Sequence, residues 1–334
     1  MSRAISLDSG NLSEKNLNSS FNEISLALKS KSNTKLEIEI LGKSHISTSG
    51  ESVIRDGSFI AIPKTILLQA FIVARLVLFK YVRECPSDRE QSLTDATAII
   101  LLVDSEHLTA ANTRKRLLKK SIERNQDIAQ EVFAAEICWV DGYLTSHLHR
   151  HTKSPTLWAH RRWVIEQNKL FVSAEYMIQN LNDVIFIAAQ RHPRNYYAWS
   201  HARWLHSLNT VIPNDMPELS ISKSIISAVQ DWCLRNPSDT SGFSFLLFCL
   251  MTIPDLEECA LSVFTKTFRT AISYRWSQES IWCFLRTLAT WKLRGEENFV
   301  CDEDSIADYP LIRNRICTAR KWCRIYHLKM PKLP

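Results

Sequence analysis

The chain has 334 residues, of which only seven are glycine, and a formal net charge of +6 at pH 7. Glycine takes positive φ at least cost, so its scarcity argues against β-sandwiches, Rossmann folds and P-loop proteins, which need tight turns or phosphate loops. The modest positive charge does not indicate a nucleic-acid-binding protein.

The first 58 residues contain 14 serines and no Trp, Tyr or Pro. Such a segment buries little apolar surface, so we expect residues 1–58 to form a mobile N-terminal segment. Within it, an amphipathic pattern predicts one short helix, whose apolar positions are Leu17, Phe21, Ile24, Leu26 and Leu28.

The N-terminus has no apolar signal region. Nine cysteines, an odd number without a CxxC pair, indicate reduced thiols and a cytoplasmic protein.

The most apolar stretch runs from Thr65 to Val82 and has two readings, a membrane span or a helix of a soluble protein. Gln69 and Arg75 interrupt the stretch, and an arginine at the centre of a spanning helix costs about 2.5–3.5 kcal/mol. We therefore expect a buried amphipathic helix and no stable membrane insertion.

Further helices are predicted over Leu93–Val103, Asn112–Asn125 and Asp127–Tyr143 from the spacing of their apolar residues. The second of them is strongly basic, which favours a solvated or partner-facing surface.

The histidines of the HLHRH string at 147–151 could suggest a metal site. Only the outer pair would share a helical face and no carboxylate or cysteine completes a ligand set, so a solvated helix end is the preferred interpretation.

Two segments repeat each other at a distance of 41 residues, KSPTLWAHRRWV at 153–164 and RNYYAWSHARWL at 194–205. Four positions are identical, which pairs Trp158 with Trp199, His160 with His201, Arg162 with Arg203 and Trp163 with Trp204. The tryptophans are expected to pack in the core and between hairpins. The arginines, four residues after the first tryptophan, are expected to stack on an indole or to reach a carboxylate. A repeat of this period indicates stacked helical hairpins.

Helix start signals precede both copies. Ser154 and Asn195 lie four residues before the first tryptophan, where an N-cap is expected, and Pro155 then takes the first helical position. Three weaker copies continue the register, with Ala111, Phe243 and Trp282 at the tryptophan position. In the last of these, Arg286 follows four residues after the tryptophan. The fold class is therefore all-α, with a repeat domain over residues 59–328 and a tail over residues 329–334.

The pattern N-x-x-x-W-x-H-x-R-W after a proline-containing turn resembles the repeat of protein prenyltransferase α subunits. The resemblance rests on RNYYAWSHARW, SPTLWAHRRW, SDTSGF and AANTRKRLL, and covers roughly residues 60–325. It implies a right-handed crescent, or solenoid, of stacked helical hairpins that wraps a separate β subunit. It also implies an α-type subunit of a type III protein geranylgeranyltransferase, inactive alone, whose partners are the Rab-type β subunit and prenylation substrate proteins.

Zinc and geranylgeranyl diphosphate are, by the same resemblance, expected on the β subunit, with no cofactor or metal in this chain. The family's K-N-Y string, which supplies a lysine and a tyrosine near the diphosphate, corresponds to Arg194, Asn195 and Tyr196. Arg194 keeps the positive charge but is not equivalent to lysine. Lys153 is the matching residue of the preceding copy. The other candidate positions for partner contact and the repeat motif are Trp158, His160, Arg161, Arg162, Trp163, Trp199, His201, Arg203, Trp204, Trp282 and Arg286.

Two departures from the family pattern keep an alternative open, a helical-repeat scaffold without prenyltransferase activity. Ala202 stands where the family usually has arginine, and Leu246 and Leu247 replace both basic residues of the fourth copy. An RNA-binding helical repeat is disfavoured because the copies lack a regular pair of base-reading side chains.

Overall fold

The computed structural model describes residues 14–29, 34–42, 53–84, 90–168, 174–209, 217–252, 257–293, 295–302 and 306–326. The tail predicted at 329–334 lies outside these ranges. The chain divides into two compact units, residues 1–171 and 172–334. Helices dominate both units, which confirms the all-α class. The right-handed crescent stays a prediction.

The first unit contains seven helices and three short strands among its described residues. The helices are α1 (Glu14–Leu28), α2 (Lys64–Glu84), α3 (Glu90–Val103), α4 (Leu108–Arg124), α5 (Ala129–Thr145), α6 (His149–Thr152) and α7 (Pro155–Gln167). Each of the five helices predicted upstream of the repeat is present within a few residues of its expected bounds. Helices α5 and α7 pack on each other, and α4 packs on both.

A three-stranded sheet was not expected. Strand β3 (Phe59–Pro63) pairs in parallel with β1 (Glu37–Leu41) and antiparallel with β2 (Ile54–Asp56). Gly57 takes φ of 57° in the two-residue turn between β2 and β3, a conformation that favours glycine. The sheet forms in the glycine-richer start of the chain, where composition was interpreted as a sign of mobility.

The prediction of a mobile segment over 1–58 is wrong for the described part of that range. Helix α1 packs on α2 and buries Phe21, Ile24 and Leu28, three of the five residues that predicted it. Leu26 is 70% exposed because it lies on the opposite face. The local composition is poor in apolar residues, but α2 and α3 supply the surface against which the few that exist are buried.

Helix α2 differs from its prediction as well. It packs on α1 and α3 through a stripe made by Leu67, Ala70, Ala74 and Leu78. Only 22% of its most apolar window is buried, so the helix is not the buried one that was expected. Among the described residues it is the one helix long and apolar enough, by length and composition alone, to cross a membrane.

The second unit consists of helices in its described part. They are α8 (Ala174–Asn180), α9 (Phe186–Arg191), α10 (Tyr196–Asn209), α11 (Pro217–Arg235), α12 (Thr240–Thr252), α13 (Glu257–Ser273), α14 (Glu279–Lys292) and α15 (Pro310–Tyr326). A π-helical segment, Leu181–Ile185, joins α8 to α9. The motif helices α10, α12 and α14 pack in series, and α11 packs on α13. This is the order expected for successive helical hairpins.

Candidate functional site: the motif turns

The five proposed copies share one structural position. Helices α4, α7, α10, α12 and α14 begin at residues 108, 155, 196, 240 and 279, so the aligned residue is the fourth of each helix. The residue before each helix occupies the cap position, and these are His107, Ser154, Asn195, Asp239 and Gln278. The weak copies, which would not stand alone as sequence matches, therefore have the register that was assigned to them.

Four of the five cap side chains accept a hydrogen bond from a backbone N–H three residues further on. Ser154 Oγ accepts from Leu157 at 3.1 Å, and Asn195 Oδ1 accepts from Ala198 at 3.2 Å. Both predicted N-caps are thus confirmed, as is Pro155 in the first turn of α7. His107 Nδ1 and Asp239 Oδ1 act in the same way, at 3.1 Å and 2.8 Å. Gln278 makes no such bond.

Neighbouring turns are tied to each other within each unit. In the first unit, Ser154 Oγ donates to the carbonyl of Ser105 at 3.0 Å, and Thr156 donates to Glu106 at 2.7 Å. In the second, the buried Asp239 accepts the backbone N–H of Arg194 at 2.7 Å through Oδ2, while Oδ1 caps its own helix. A single carboxylate therefore fixes the turn that carries Arg194.

The Arg194 turn presents an exposed cationic and aromatic surface. Arg194 has φ of 59°, a left-handed conformation that a non-glycine residue rarely takes, and its side chain is exposed. Tyr196 is 66% exposed, and its ring meets Tyr197 edge to face with centroids 5.5 Å apart. Lys153, at the same position of the preceding copy, is also exposed. These side chains are available to a ligand or a partner.

The tryptophans at the aligned position belong to the core, as predicted. Trp158 and Trp282 are buried, and each indole N–H donates to the carbonyl six residues upstream, Thr152 at 2.9 Å and Trp276 at 2.8 Å. Trp199 is fully buried, but its indole N–H has no hydrogen-bond partner among the described residues. Aromatic packing surrounds it, since the rings of Phe186, Trp232 and Phe245 lie within about 6 Å.

The second tryptophan of each strong copy is only half-buried. Trp163 packs against the cluster of Leu118, Phe133 and Val164, and the ammonium groups of Lys115 and Lys119 lie 5.4 and 5.8 Å from its ring centroid. Trp204 packs on His201, with centroids 5.0 Å apart. The basic side of α4 is thus partly occupied by contacts within its own unit.

The arginines four residues after the aligned position do not stack on its indole. Arg162 is exposed and binds Glu166 at 2.9 Å. Arg203 donates to Ser244 at 2.7 Å and lies over the ring of Phe248. Arg286 binds Glu279 at 3.0 Å and lies 4.5 Å from the ring centroid of Trp322. Of the three, only Arg162 has the exposure expected of a residue that contacts a partner.

Arg161 has a structural environment. It is 1% exposed and binds Asp141 of α5 through two hydrogen bonds, at 2.6 and 3.2 Å. A bidentate, buried pair of this kind positions α7 on α5. Ala202 replaces this arginine in α10 and is itself fully buried.

A second buried ionic group was missed by the sequence analysis. His160 Nε2 donates to Glu136 of α5 at 2.6 Å, and Arg114 of α4 binds the same carboxylate at 2.8 and 2.6 Å. The guanidinium also lies 3.6 Å from the ring centroid of Trp139. Burial raises the pKa of Glu136, but Arg114 and His160 outweigh burial and lower it to about 2.

His160 is held neutral in this group. Burial lowers its pKa, although the bond to Glu136 acts in the opposite direction. Its second nitrogen, Nδ1, has no partner among the described residues, which suits the neutral tautomer that carries its proton on Nε2. The chemistry of this cluster is therefore that of a core contact, and it joins α4, α5 and α7.

The HLHRH string does not converge on one point. His151 is buried and binds the carbonyl of Leu101 at 3.0 Å, whereas His147 is exposed and lies 3.8 Å from Glu37. In the residues that the structure describes, no three His, Cys, Asp or Glu side chains are grouped so that they could hold a metal ion. The described cysteines are all free thiols.

Comparison with known proteins gives two kinds of match. The family model of the ECM9 middle domain matches residues 157–271, which include all but the first two residues of α7 and the whole of α10 and α12. Among curated proteins, the chain is similar to protein prenyltransferase alpha subunit repeat-containing protein 1 of Danio rerio, with 28% identity over 53% of this chain and 42% of that protein.

Two further relatives have closely related names. Protein prenyltransferase alpha subunit repeat-containing protein 1 of Homo sapiens is 29% identical over 48% of this chain and 40% of its own length. The 1-B protein of Xenopus laevis is 29% identical over 48% and 37%. These matches confirm the resemblance to prenyltransferase α-subunit repeat proteins, over about half of this chain and about two fifths of the relatives.

Proposed function

We propose that this chain is the α-type subunit of a protein geranylgeranyltransferase, inactive alone, that acts with a Rab-type β subunit. The observation that carries the proposal is the turn of Arg194, Asn195 and Tyr196. Two of its residues have the chemistry that the family places beside the diphosphate, and both are exposed. The names of the relatives support the α-subunit part of the proposal.

Two contacts hold the backbone of this turn. Asn195 caps α10 and is buried, while Asp239 binds the backbone N–H of Arg194. The backbone position of Arg194 is thus fixed, and a positive charge beside a diphosphate stabilises the negative charge that develops as it leaves. Tyr196 and Tyr197 supply amphipathic rings of the type enriched in protein interfaces.

In this proposal the β subunit holds the zinc and the geranylgeranyl diphosphate, and the prenylated cysteine comes from a substrate protein. The contribution of this chain is to bind the β subunit and to place Arg194 at the edge of the active site. Lys153 and Arg162 are further contacts, because both are exposed and basic.

The test is co-expression of the full chain with a Rab-type geranylgeranyltransferase β subunit, followed by size-exclusion chromatography and transfer of labelled geranylgeranyl groups to protein. We expect a stable heterodimer whose kcat falls in Arg194→Glu and is retained in Arg194→Lys, since lysine restores the family residue. Charge reversal at Arg162 is expected to weaken the heterodimer rather than kcat. Arg269→Glu, an exposed arginine of α13, is the matched control.

No association of the two chains at micromolar concentration would contradict the proposal. A heterodimer that forms but transfers no prenyl group would favour the second candidate, a helical-repeat scaffold. That candidate is supported by α12, where the half-buried Leu247 stands at the position of Arg162 and Arg203, which is basic in both strong copies. Arg203→Glu is not a clean test of either, because Arg203 binds Ser244 within its own unit.

A further inference from the structure

Helix α2 carries an apolar surface that the described part of the chain leaves open. Leu76, Phe79 and Val82 are 64%, 48% and 54% exposed, although the helix is held in the first unit through its opposite stripe. Three large apolar side chains within two turns form a patch, and such patches mark interaction sites more often than chance exposure.

The same surface is basic. Arg75 lies between Phe71 and Phe79, with its guanidinium 5.8 and 5.4 Å from the two ring centroids. Lys80 and Arg83 follow at the C-terminal end of the helix and Lys64 opens it, whereas Glu84 is its one acidic residue and lies 3.8 Å from Lys80. Basic and apolar side chains are thus interleaved along one helix.

A cavity lies at the N-terminal end of α2. It has a volume of about 280 Å³ and is mainly apolar, lined by Leu67 and Leu68 of α2 and by Leu102 and Leu148. Lys64 and Arg150, both exposed, also line it, and Arg150 belongs to the HLHRH string, which the proposed function does not use. An apolar recess beside two cations fits a lipid with an anionic headgroup.

We propose that the exposed face of α2 and the adjoining cavity dock the first unit on an anionic membrane surface. The helix lies in the interfacial plane and does not cross the bilayer. Leu67, Ala70, Ala74 and Leu78 remain packed on α1 and α3, while the opposite face enters the boundary between headgroups and acyl chains. The excess of basic residues selects anionic lipid over a neutral membrane and over an apolar protein surface. This proposal is independent of the β subunit.

The test is co-sedimentation of the full chain with phosphatidylcholine vesicles that contain about 30% phosphatidylserine, and with vesicles of phosphatidylcholine alone. We expect binding to the anionic vesicles that weakens as salt is added. Leu76→Glu/Phe79→Glu should reduce that binding at least about ten-fold, because it places charge on the inserted face. Leu261→Glu, a leucine of α13 that is 46% exposed, is the matched control and should bind as the unaltered chain does.

A second variant measures the charges alone. Arg75→Gln/Arg83→Gln is expected to weaken binding to anionic vesicles about 25-fold, since each basic residue near such a surface contributes about fivefold. Lys64→Gln/Arg150→Gln should act in the same direction at the cavity. Circular dichroism checks that each variant is folded, and Leu76→Ala/Phe79→Ala provides a milder form of the apolar change.

The proposal fails if the chain does not sediment with anionic vesicles, or if Leu76→Glu/Phe79→Glu sediments as the unaltered chain does. It also fails if the unaltered chain does not bind vesicles, light scattering shows that it is a dimer, and Leu76→Glu/Phe79→Glu is a monomer. In that case the face binds a second copy of the chain.

Discussion

Helices α7 and α10 carry the same motif at the same register, yet each packs on its neighbours through a different kind of contact. In α7, Arg161 and His160 reach carboxylates on α5, at Asp141 and Glu136, so that the contact between helices is ionic. In α10, Ala202 takes the place of Arg161, and Trp199 packs in a cluster of aromatic rings. The motif determines where the helix begins and which residue faces inward, and the adjacent positions determine the nature of the contact.

The difference bears on how a departure from a family pattern should be interpreted. Ala202 first suggested a lost functional arginine. In the structure the corresponding arginine, Arg161, is a buried core residue, and Ala202 is its apolar replacement. The departure is therefore a change of core packing and does not by itself weaken the case for an α-type subunit.

Breaking the ionic contact of α7 should have the largest effect. Arg161→Met leaves Asp141 buried and uncompensated, and removal of one partner of a buried pair costs about 3–5 kcal/mol of unfolding free energy. The double variant Arg161→Met/Asp141→Leu should recover most of that loss. Arg162→Met, at the exposed neighbour, should change stability by less than about 0.5 kcal/mol. Urea denaturation measures all three, and equal costs for Arg161→Met and Arg162→Met would refute the role of the pair.

Acidification should loosen the first unit before the second. In the folded chain, burial lowers the pKa of His160, and Arg114 with His160 lowers that of Glu136 to about 2 against the effect of burial. The unfolded chain therefore takes up protons first, from the ordinary values of 6.5 and 4.5 downward. Above these ordinary pKa values, His160 and Glu136 contribute their full share to the free energy of unfolding. That contribution is lost as the pH falls from them toward the lower pKa values of the folded chain.

Hydrogen exchange of α7 and α10, corrected for the intrinsic effect of pH, measures this difference. Helix α10 contains a buried histidine of lowered pKa, His206, whereas the contact of α7 involves both His160 and Glu136, so the loss at α10 should be smaller. His160→Gln keeps a hydrogen-bond donor for Glu136 but does not titrate. In this variant the exchange protection of α7 should therefore change less with pH near neutrality. If both helices lose protection in parallel, the contrast between an ionic and an aromatic contact does not hold.

The smallest of the three expected effects is a change of stability on substitution of Gly242, which tests the aromatic packing around Trp199. A Cβ at Gly242 of α12 would lie 2.8 Å from Trp232 and 3.2 Å from Trp199. Gly242→Ala gains about 1 kcal/mol of helix propensity, but overpacking typically costs about 1–3 kcal/mol, so we expect a net loss of about 1 kcal/mol. Ser241→Ala, one residue earlier in the same helix, is the control in thermal unfolding. If Gly242→Ala is more stable than Ser241→Ala, the rings of Trp199 and Trp232 can move aside at little cost and are not tightly packed.

The parts of the molecule that sequence predicted are those set by local chemistry. Ser154, Asn195 and Pro155 mark helix starts because their preferences are exerted within one turn, and the aligned tryptophans are inward because helical periodicity places them there. The sheet of β1, β2 and β3 was missed, since its strands are short and β1 pairs with a strand about twenty residues away. Glu136 was missed because its partners lie 22 and 24 residues distant, on other helices.

The cap residues have a further consequence for how such repeats drift during evolution. Successive caps are 47, 41, 44 and 39 residues apart, so no constant period runs through the chain. Each cap restarts the helix, and a change of length in the preceding connection therefore leaves the phase of the next motif intact. We therefore expect an insertion between copies to need no compensating deletion, so a search for further copies should be anchored on the cap and the aligned residue four positions later, with the interval left free.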